Sequence, residues 1–471
     1  MNIGAGFSIF CNSVWLIDGC KTISMTEGNS MASVAPFNGI LYNPEVIPSM
    51  GDVVAPPYDV ISPEAQKLLH ERHPNNVIRL ILGRDEAGDA PGNNRHTRAA
   101  GWFESWQEAG VLKQDDTPAF YLTRVTFTVD NATYTRYGLI ATVKLEPFEN
   151  GVILPHEQTF STVKSERLEL LKLCKANFSQ IFSIYSDPEL ALFDTLLKAA
   201  ESMAPIMDLV DDNGETHHLW RFTDTALLAE VTSAFADKCL YIADGHHRYE
   251  TALNYRNWLA ETDPSFDETH PANGIMMYLC AMEDPGMLIQ PTHRVLQSLG
   301  AENIAAFRAA LPTYFDVAAM AAGENCRDLT AEMAKQASDK GTVSLGVLLD
   351  GEADALLLTL RPGVMDELFA DDLHPTLRYL DVSVLTWLLL NKLLGLTAKD
   401  LDNPDVITYT SNAGDAAEQV RSGAAVAAFI LNGTRMQQVI DIAEAGEIMP
   451  RKTTYFYPKA LTGLVLNRLT R

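Results

Sequence analysis

The chain has 471 residues, of which 47% are hydrophobic and 21% charged, so it is long enough for two or three globular domains. Its 36 Lys and Arg residues against 61 Asp and Glu residues give a net charge of −25, which argues against nucleic-acid binding and against anionic membranes. Six cysteines without a CxxC pair indicate neither a disulfide scaffold nor a cysteine zinc site, and a reducing cytoplasm is the simplest compartment. No run of 18 apolar residues occurs, so no membrane span is predicted.

Residues 1–30 contain an apolar stretch that no basic residue precedes, whereas a signal peptide begins with one. The pattern typical of globular proteins starts near Met31. We therefore interpret residues 1–30 as a disordered or spurious N-terminal extension rather than as a targeting signal.

The first elements of the globular part can be read from their end signals. Ser62 is a favourable N-cap and Pro63 suits the first helical position, so a helix is predicted to begin here. The apolar run 77–82 is typical of a buried strand. Asp130-Asn131 lies between two alternating segments and indicates a β-hairpin.

Helices and strands continue to alternate further along the chain. Residues 239–245 predict a strand that ends at a glycine, a helix follows at once over residues 246–260, and residues 287–296 predict another strand. We predict an α+β protein with mixed sheets. It would comprise a catalytic α+β region over residues 31–300 and an α/β region over residues 301–471, whose basic tail is a candidate to complete the site.

The junction Asp244-Gly245-His246-His247-Arg248 is the most informative segment of the chain. A helix that begins directly after a strand presents free backbone N–H groups, and its macrodipole favours an anion there. Two imidazoles and a guanidinium would oppose that dipole unless an anion lay between them. The pattern therefore favours a phosphate-like ligand over a solvated helix start.

His156-Glu157 is a second candidate for chemistry. An adjacent imidazole and carboxylate can act as an acid/base pair or share a metal ion. Phe160 takes the position of the second histidine of HExxH, which excludes the zinc-protease motif. Capping and turn hydrogen bonds explain the pair equally well.

Three further segments place charged side chains where they could meet a small anion or a metal ion. His293 and Arg294 are neighbours in an acidic chain, although a structural role explains them better when they are taken alone. Asp59 follows two prolines whose stiff backbone can fix its direction, as a base or a Mg²⁺ ligand requires. Lys452 and Lys459 lie in a terminal stretch with five Lys or Arg and no Asp or Glu, which suits an anion as well as it suits solvent.

Several common motifs are absent from the sequence. There is no GxxxxGK[ST], no GxGxxG that opens a helix and no GxSxG, which disfavours P-loop, Rossmann and α/β-hydrolase proteins. The basic tail is short and no DNA- or RNA-binding motif accompanies it, so a nucleic-acid partner is not expected.

Five motifs, in this order, resemble those of a bacterial and archaeal family catalogued as DUF family 1015. They are PPYDVIS, ILPHEQT, ADGHHRYETAL, PTHR and TYFYPKALTGL. The resemblance covers roughly residues 35–467, and the family name implies no function.

The segment from Asp244 to Arg248, followed by Ala252, is also similar to the G-x-H/R-R-x-x-A box of the ParB/sulfiredoxin-like fold. A similar run is found in the free serine kinases of that fold. This resemblance implies that the box opens a helix and binds nucleotide phosphates. It also implies transfer of a phosphoryl group from ATP, ADP or pyrophosphate to free serine, which gives O-phosphoserine. The chain is far longer than a ParB-like domain.

The resemblance and the residues together assign roles for such a reaction. The expected donor-binding residues are Asp244, Gly245, His246, His247, Arg248, His293, Arg294, Lys452 and Lys459. The expected catalytic residues are Asp59, His156, Glu157 and His246. Mg²⁺ is expected to bridge the donor phosphates, with Asp59 or Asp244 as a ligand. The partners are then a small anionic phosphate donor and a small hydroxyl acceptor.

Two other functions remain open at this point. A metal-dependent hydrolase would use His156, Glu157, His246, His247 and His293. A non-enzymatic, nucleotide-responsive binding protein would bind nucleotide without turnover. The sequence also leaves a homo-oligomer open, and residues 301–440 contain no motif with an assigned role.

Overall fold

The computed structural model describes residues 31–159, 161–323, 325–340 and 342–471. The expected N-terminal extension, residues 1–30, lies outside the described residues. The strands are β1 (Val34–Ala35), β2 (Ile40–Tyr42), β3 (Leu112–Gln114), β4 (Phe120–Val129), β5 (Ala132–Lys144), β6 (Ile153–Leu154), β7 (Ala176–Asn177), β8 (Ile181–Tyr185), β9 (Met207–Val210), β10 (Thr216–Phe222), β11 (Leu240–Asp244), β12 (Gly274–Ala281), β13 (Leu288–Gln290), β14 (His293–Leu296), β15 (Phe315–Ala321), β16 (Ser344–Leu349), β17 (Asp354–Leu360), β18 (Ile407–Thr410), β19 (Ala427–Ile430), β20 (Tyr455–Tyr457) and β21 (Asn467–Arg468).

The helices connect and cover these strands. They are α1 (Pro63–Arg72), α2 (Ile78–Ile81), α3 (Arg95–Glu108), α4 (Ser161–Cys174), α5 (Ala191–Glu201), α6 (Thr225–Ala234), α7 (His246–Thr262), α8 (Ala301–Tyr314), α9 (Arg327–Lys340), α10 (Val364–Phe369), α11 (Pro375–Arg378), α12 (Asp381–Ser383), α13 (Ala398–Leu401), α14 (Ala413–Arg421) and α15 (Met436–Glu444). Helix α12 continues as a π-helix over Val384–Leu393, and a 3₁₀ turn covers Tyr58–Val60. Within the described ranges, no helix is long and apolar enough to cross a lipid bilayer.

The first sheet runs in the order β6-β11-β8-β12-β5-β4-β10-β9, with β1 added beside β5. It is a mixed sheet, because β11 pairs in parallel with β6 and β12 in parallel with β8, while β4, β5, β9 and β10 are antiparallel to their neighbours. Strand β11 therefore lies near one end of the sheet, and the chain leaves it directly into α7.

The second sheet is antiparallel and runs in the order β15-β17-β16-β19-β14-β18. Its side chains alternate between two cores, as strand geometry requires: Phe429 packs with Leu345 on one face, and Ile430 packs with Leu348 on the other. Strand β18 forms an edge of this sheet, and its last residues reach the site described below.

The C-terminal tail returns from the second sheet to the first. Strand β20 pairs with β13, and β21 pairs with β7. Phe456 and Val465 are fully buried in the core of the first sheet, together with Tyr121 and Phe182. Hydrophobic burial thus fixes the position of the basic tail that lies between these residues.

Several local predictions are confirmed. Helix α1 has Ser62 as its N-cap, whose side chain accepts from the Ala65 N–H at 3.2 Å, and Pro63 is its first residue. The β4–β5 hairpin turns at Asp130 and Asn131, whose φ angles of 50° and 65° suit a two-residue turn with left-handed backbone. The mixed α+β class, with several sheets, is also as predicted.

The strand predicted over residues 77–82 is wrong, because these residues form the short helix α2. The Asn76 side chain accepts from the Ile78 N–H at 2.9 Å and turns the chain into that helix. Ile78, Leu80 and Ile81 are all buried, so the segment is apolar on every side and carries no period that distinguishes helix from strand.

The single strand predicted over residues 287–296 is also corrected. It is two strands, β13 and β14, separated by Pro291 and Thr292 and placed in different sheets. Proline has no backbone N–H to give to a ladder, so the chain changes sheet there. The predicted division at residue 300 stays a prediction, although β14 already belongs to the second sheet.

Candidate functional site

A cleft of about 540 Å³ lies where the end of β11, the returning tail and the edge of the second sheet meet. Most of its lining side chains are polar or charged. Its lining residues are Tyr58, Asp59, Val60, Glu157, Gln158, Asp244, His247, Thr292, Tyr409, Thr410, Ser411, Met449, Arg451, Lys452, Thr454, Tyr455 and Lys459. Segments distant in sequence thus contribute to one polar cavity, of the size that a small ligand needs.

The start of α7 forms one wall of this cleft. Gly245 takes φ +99°, a left-handed conformation, and a Cβ built there would lie 2.9 Å from the Arg248 guanidinium carbon. This sharp turn lets the helix begin at His246, immediately after the strand. No side chain caps this helix end, so its first N–H groups and the helix dipole favour an anion.

Asp244 is held between two cations. Its Oδ1 accepts from the Lys459 ammonium at 2.7 Å, and its Oδ2 accepts from the Arg248 guanidinium, which also donates to the Gln180 carbonyl. Burial alone would raise the pKa of Asp244, but Lys459 and Arg248 outweigh burial and hold that pKa well below its usual range. One carboxylate and two cations leave a net charge of +1 beside the helix start.

Arg248 lies behind Asp244 rather than on the wall of the cleft. It lines a neighbouring hollow with Tyr58 and Ser179. The side chains that face the cleft here are His247, Lys452 and Lys459. The structure therefore separates the expected donor-binding residues into a group at the surface of the cleft and a group that supports it.

His156, His246 and Glu157 form a connected chain of polar groups. The His156 N–H donates to His246 Nε2 at 3.3 Å, so the proton of neutral His246 is on Nδ1, which lies 3.6 Å from Glu157 Oε2. His156 Nε2 lies 3.1 Å from the Thr454 hydroxyl. These contacts fix the orientation of both imidazoles and direct one N–H towards the Glu157 carboxylate.

Burial sets the protonation of this chain. It lowers the pKa of His156 to about 4 and that of His246 well below its usual value, so both rings are neutral at pH 7. For Glu157, burial and the nearby charge of Asp244 raise the pKa to about 7. A carboxyl that titrates near neutral pH is suited to accept a proton from a substrate.

His293 and Arg294 do not line the cleft. Both are buried in β14, where His293 Nδ1 accepts from the Leu431 N–H at 3.2 Å. Arg294 donates at 3.0 Å to the carbonyls of Arg451 and Lys452. Burial lowers the pKa of Arg294 to about 10, which leaves it charged at neutral pH. Arg294 thus holds the backbone of the tail segment that carries Lys452.

The sequence reasoning did not identify Arg136, which holds the tail in the same way from the first sheet. Arg136 is buried in β5 and donates to the carbonyls of Tyr457 and Pro458 at 2.9 and 2.7 Å. Its guanidinium stacks 4.8 Å from the Phe182 ring. Lys459 follows Pro458 directly, so Arg136 positions its backbone. A single arginine inside an alternating strand was the signal for it.

The sequence reasoning also missed the wall from the second sheet. Tyr409, Thr410 and Ser411 come from the end of β18 and face the cleft opposite α7. No motif marks this short strand, and only the long-range packing of the two sheets brings it to the site. Tyr455, on the tail, stacks 5.0 Å from the Lys459 ammonium and adds an aromatic surface.

The expected metal ligands differ in their surroundings. Asp59 is exposed and lines the cleft, so its carboxylate fits one position on a Mg²⁺ ion that otherwise keeps waters and phosphate oxygens. Asp244 does not fit in this arrangement, because Lys459 and Arg248 take both of its oxygens.

The five residues of the metal-hydrolase alternative do not form a metal site. Among the described parts of the chain, one group of three residues brings its ligand atoms within 4.8 Å of one another, and it consists of Asp211, Glu215 and His217. None of these belongs to the hydrolase set of histidines and Glu157, nor do they line the cleft.

A family model described as a protein of unknown function (DUF1015) matches residues 34–383. The chain belongs to this family. Solved structures similar to this DUF1015 member include a conserved hypothetical protein from Pyrococcus furiosus, with a TM-score of 0.32 and 12% identity over 67% of this chain and 90% of that chain. A free serine kinase mutant in complex with ADP gives 0.33 and 11% over 67% and 87%. C-terminally truncated SbnI from Staphylococcus aureus gives 0.31 and 8% over 69% and 85%. A comparison with curated proteins found no match.

In this DUF1015 chain, all five sequence motifs reach the cleft. They contribute Tyr58 and Asp59, Glu157 and Gln158, Asp244 and His247, Thr292, and finally Thr454, Tyr455 and Lys459. The last motif lies beyond residue 383, where the family match ends. Hence the returning tail completes a cavity whose other motifs lie inside the matched region.

Proposed function

We propose that this protein is a small-molecule phosphotransferase that moves a phosphoryl group from a nucleotide or pyrophosphate to the hydroxyl of free serine. The observation that carries the proposal is the meeting of an uncapped helix start, two lysines and a carboxyl with a pKa near 7 in one cleft. Phosphoryl transfer needs this combination of anion binding and a base. Serine as the acceptor rests on the resemblance of residues 244–248 to the box of the free serine kinases.

The donor phosphates would lie against the start of α7. Its N–H groups, His247, Lys452 and Lys459 face this part of the cleft and supply donors and positive charge. Arg248 acts from behind, because it neutralises Asp244 and leaves the Lys459 charge for the ligand. Fixed donors of this kind stabilise the charge that spreads over the transferring phosphoryl oxygens.

Glu157 would be the base for the acceptor. Its carboxylate takes the proton of the serine hydroxyl, the serine oxygen forms a bond to the terminal phosphorus, and the bond from that phosphorus to the bridging oxygen breaks. The donor leaves as the shorter phosphate. His246 directs Nδ1–H towards Glu157, and His156 holds His246 through its backbone N–H.

Mg²⁺ would be held by Asp59 together with donor oxygens and water, and it would neutralise the phosphate charge when bound. We also propose that β11 and α7 belong to a ParB/sulfiredoxin-like unit within residues 31–300. Residues 301–471 would then supply the wall from Tyr409 to Ser411 and the tail lysines.

The test is a direct assay of phosphoryl transfer. Purified protein with Mg²⁺ is incubated with serine and, separately, with ATP, ADP or pyrophosphate, and phosphoserine is measured by mass spectrometry. The Glu157→Gln variant should lower turnover by about 10²–10⁴-fold, since it cannot accept the proton. Glu45→Gln, at an exposed carboxylate paired with Lys113, is the matched control and should leave turnover unchanged.

Absence of phosphoserine with every donor, from folded protein, would overturn the proposal. Nucleotide binding without turnover would favour the nucleotide-responsive binding protein instead. A Glu157→Gln variant as active as Glu45→Gln would remove the assignment of Glu157 as the base.

A further inference from the structure

A group of three potential metal ligands lies in the β9–β10 hairpin, outside the cleft. Asp211, Glu215 and His217 each place one ligand atom within 4.8 Å of the other two. Their side chains are 9%, 5% and 8% exposed. His217 Nε2 lies 3.3 Å from Asp211 Oδ2 and 3.9 Å from Glu215 Oε2, so the imidazole points between the two carboxylates.

Each carboxylate uses its other oxygen for hydrogen bonds from outside the group. Asp211 Oδ1 accepts from the N–H groups of Asn213 and Glu215, both at 2.9 Å. Glu215 Oε1 accepts from the Tyr457 hydroxyl at 2.7 Å. Outer hydrogen bonds of this kind orient the ligands of protein metal sites, and here they turn Oδ2 and Oε2 towards His217.

The charge of the group is not balanced by other side chains. Among the described residues, neither Asp211 nor Glu215 forms an ion pair with a lysine or arginine, and Arg72 pairs with the exposed Asp212 instead. Two buried carboxylates facing one imidazole therefore lack a cation, although burying an unpaired charge costs several kcal/mol.

We propose that Asp211, Glu215 and His217 bind a divalent cation of the Zn²⁺ type as a structural site. Carboxylate and imidazole ligands about 2.0–2.1 Å from a tetrahedral Zn²⁺ are separated from each other by about 3.3–3.4 Å. The separations of 3.3 and 3.9 Å around His217 Nε2 need only small movements to reach this geometry. The ion would replace the missing positive charge and leave a fourth position for water.

Such an ion would stiffen the segment that carries Lys459. The Tyr457 hydroxyl bound to Glu215 belongs to β20, two residues before Lys459. The ion would tie the β9–β10 hairpin to that strand. This inference does not depend on the proposed function, because it concerns residues outside the cleft.

The experiment uses the full chain without a histidine tag, stripped with a chelator and titrated with ZnCl₂ by calorimetry and elemental analysis. Co²⁺ is added in parallel, because its absorption spectrum reports tetrahedral coordination. His217→Ala is compared with His218→Ala, whose ring on the same strand contacts Arg124 and Asp208 instead. If His217→Ala does not fold, Glu215→Gln takes its place, since it is close in size and removes the charge.

We expect one equivalent of bound Zn²⁺ in the unaltered protein and in His218→Ala, with a tetrahedral Co²⁺ spectrum. We expect affinity to fall by about 100-fold or more in His217→Ala or Glu215→Gln. The site would be refuted if the stripped protein took up less than about one equivalent. It would equally be refuted if the two histidine variants bound Zn²⁺ with the same affinity, because the three residues would then form only a hydrogen-bonded cluster.

Discussion

Two His-Arg pairs look alike in the sequence and have different surroundings in the fold. His247-Arg248 lies in the first turn of α7, where His247 faces the cleft and Arg248 pairs with Asp244. His293-Arg294 lies inside β14, where both side chains are buried and bind main-chain groups. The first pair is next to a candidate ligand site, and the second holds two parts of the backbone together.

The difference comes from the element that carries each pair. A helix start has N–H groups without internal partners, so charged residues there can share a ligand with the backbone. A strand in the middle of a sheet has its N–H groups in the ladder, so the side chains of His293 and Arg294 can bind only what packs against them. Residue types alone therefore do not distinguish a binding pair from a structural one.

The largest expected effect is on the first pair. Arg248→Ala should lower phosphoserine formation by about 10³-fold or more, because Asp244 then competes with the donor for the Lys459 charge. It should also lower the free energy of unfolding by about 3 kcal/mol, since a buried ion pair loses one partner. Steady-state kinetics and urea unfolding measure the two effects. Turnover equal to that of the unaltered protein would contradict the account of this helix start.

Arg294→Leu should show the opposite balance. Loss of its buried hydrogen bonds to main-chain carbonyls should lower the free energy of unfolding by about 4 kcal/mol. Turnover per folded molecule should change less than in Arg248→Ala, with the KM for the donor rising because the Lys452 segment loosens. If urea unfolding showed no loss of stability, the structural role of this pair would be wrong.

The buried histidines should make the protein sensitive to acid. The pKa of His156 is about 4 in the folded protein and near 6.5 when unfolded, so the unfolded chain binds more protons between these values. The stabilisation is complete above pH 6.5 and is lost as pH falls towards 4, by up to about 3 kcal/mol. Urea unfolding from pH 7 to pH 4.5 should show this slope, and His156→Gln should reduce it. The exposed His374→Gln variant is the control, and equal slopes in both variants would contradict the prediction.

Glu157 should produce a smaller effect of opposite sign. Its pKa of about 7 lies above its unfolded value near 4.5, so stability is complete below pH 4.5 and falls as pH rises through 7. A third of the side chain is exposed, which limits the loss to less than about 2 kcal/mol. Activity should rise over the same range, because the base must be ionised. An activity profile without a group near pH 7 would argue against this role.

Local signals predicted the elements that build the site, and long-range packing supplied the rest. The strand end at Asp244, the glycine and the helix start at His246 were all readable from the sequence. The roles of Arg136 and Arg294 were not, because both depend on a tail that returns from a distant part of the chain. The short helix at Ile78 was missed because apolar residues surround it on every side.

The most direct test of the central claim, that the cleft binds phosphate groups, is calorimetric titration with pyrophosphate and with ADP. Lys459→Met removes one cation from the cleft, and Lys113→Met removes an exposed lysine paired with Glu45 as a matched control. We predict binding to the unaltered protein and to the control, and an affinity about 100-fold lower in Lys459→Met. Equal affinity in both variants, or no binding to the unaltered protein, would contradict the account.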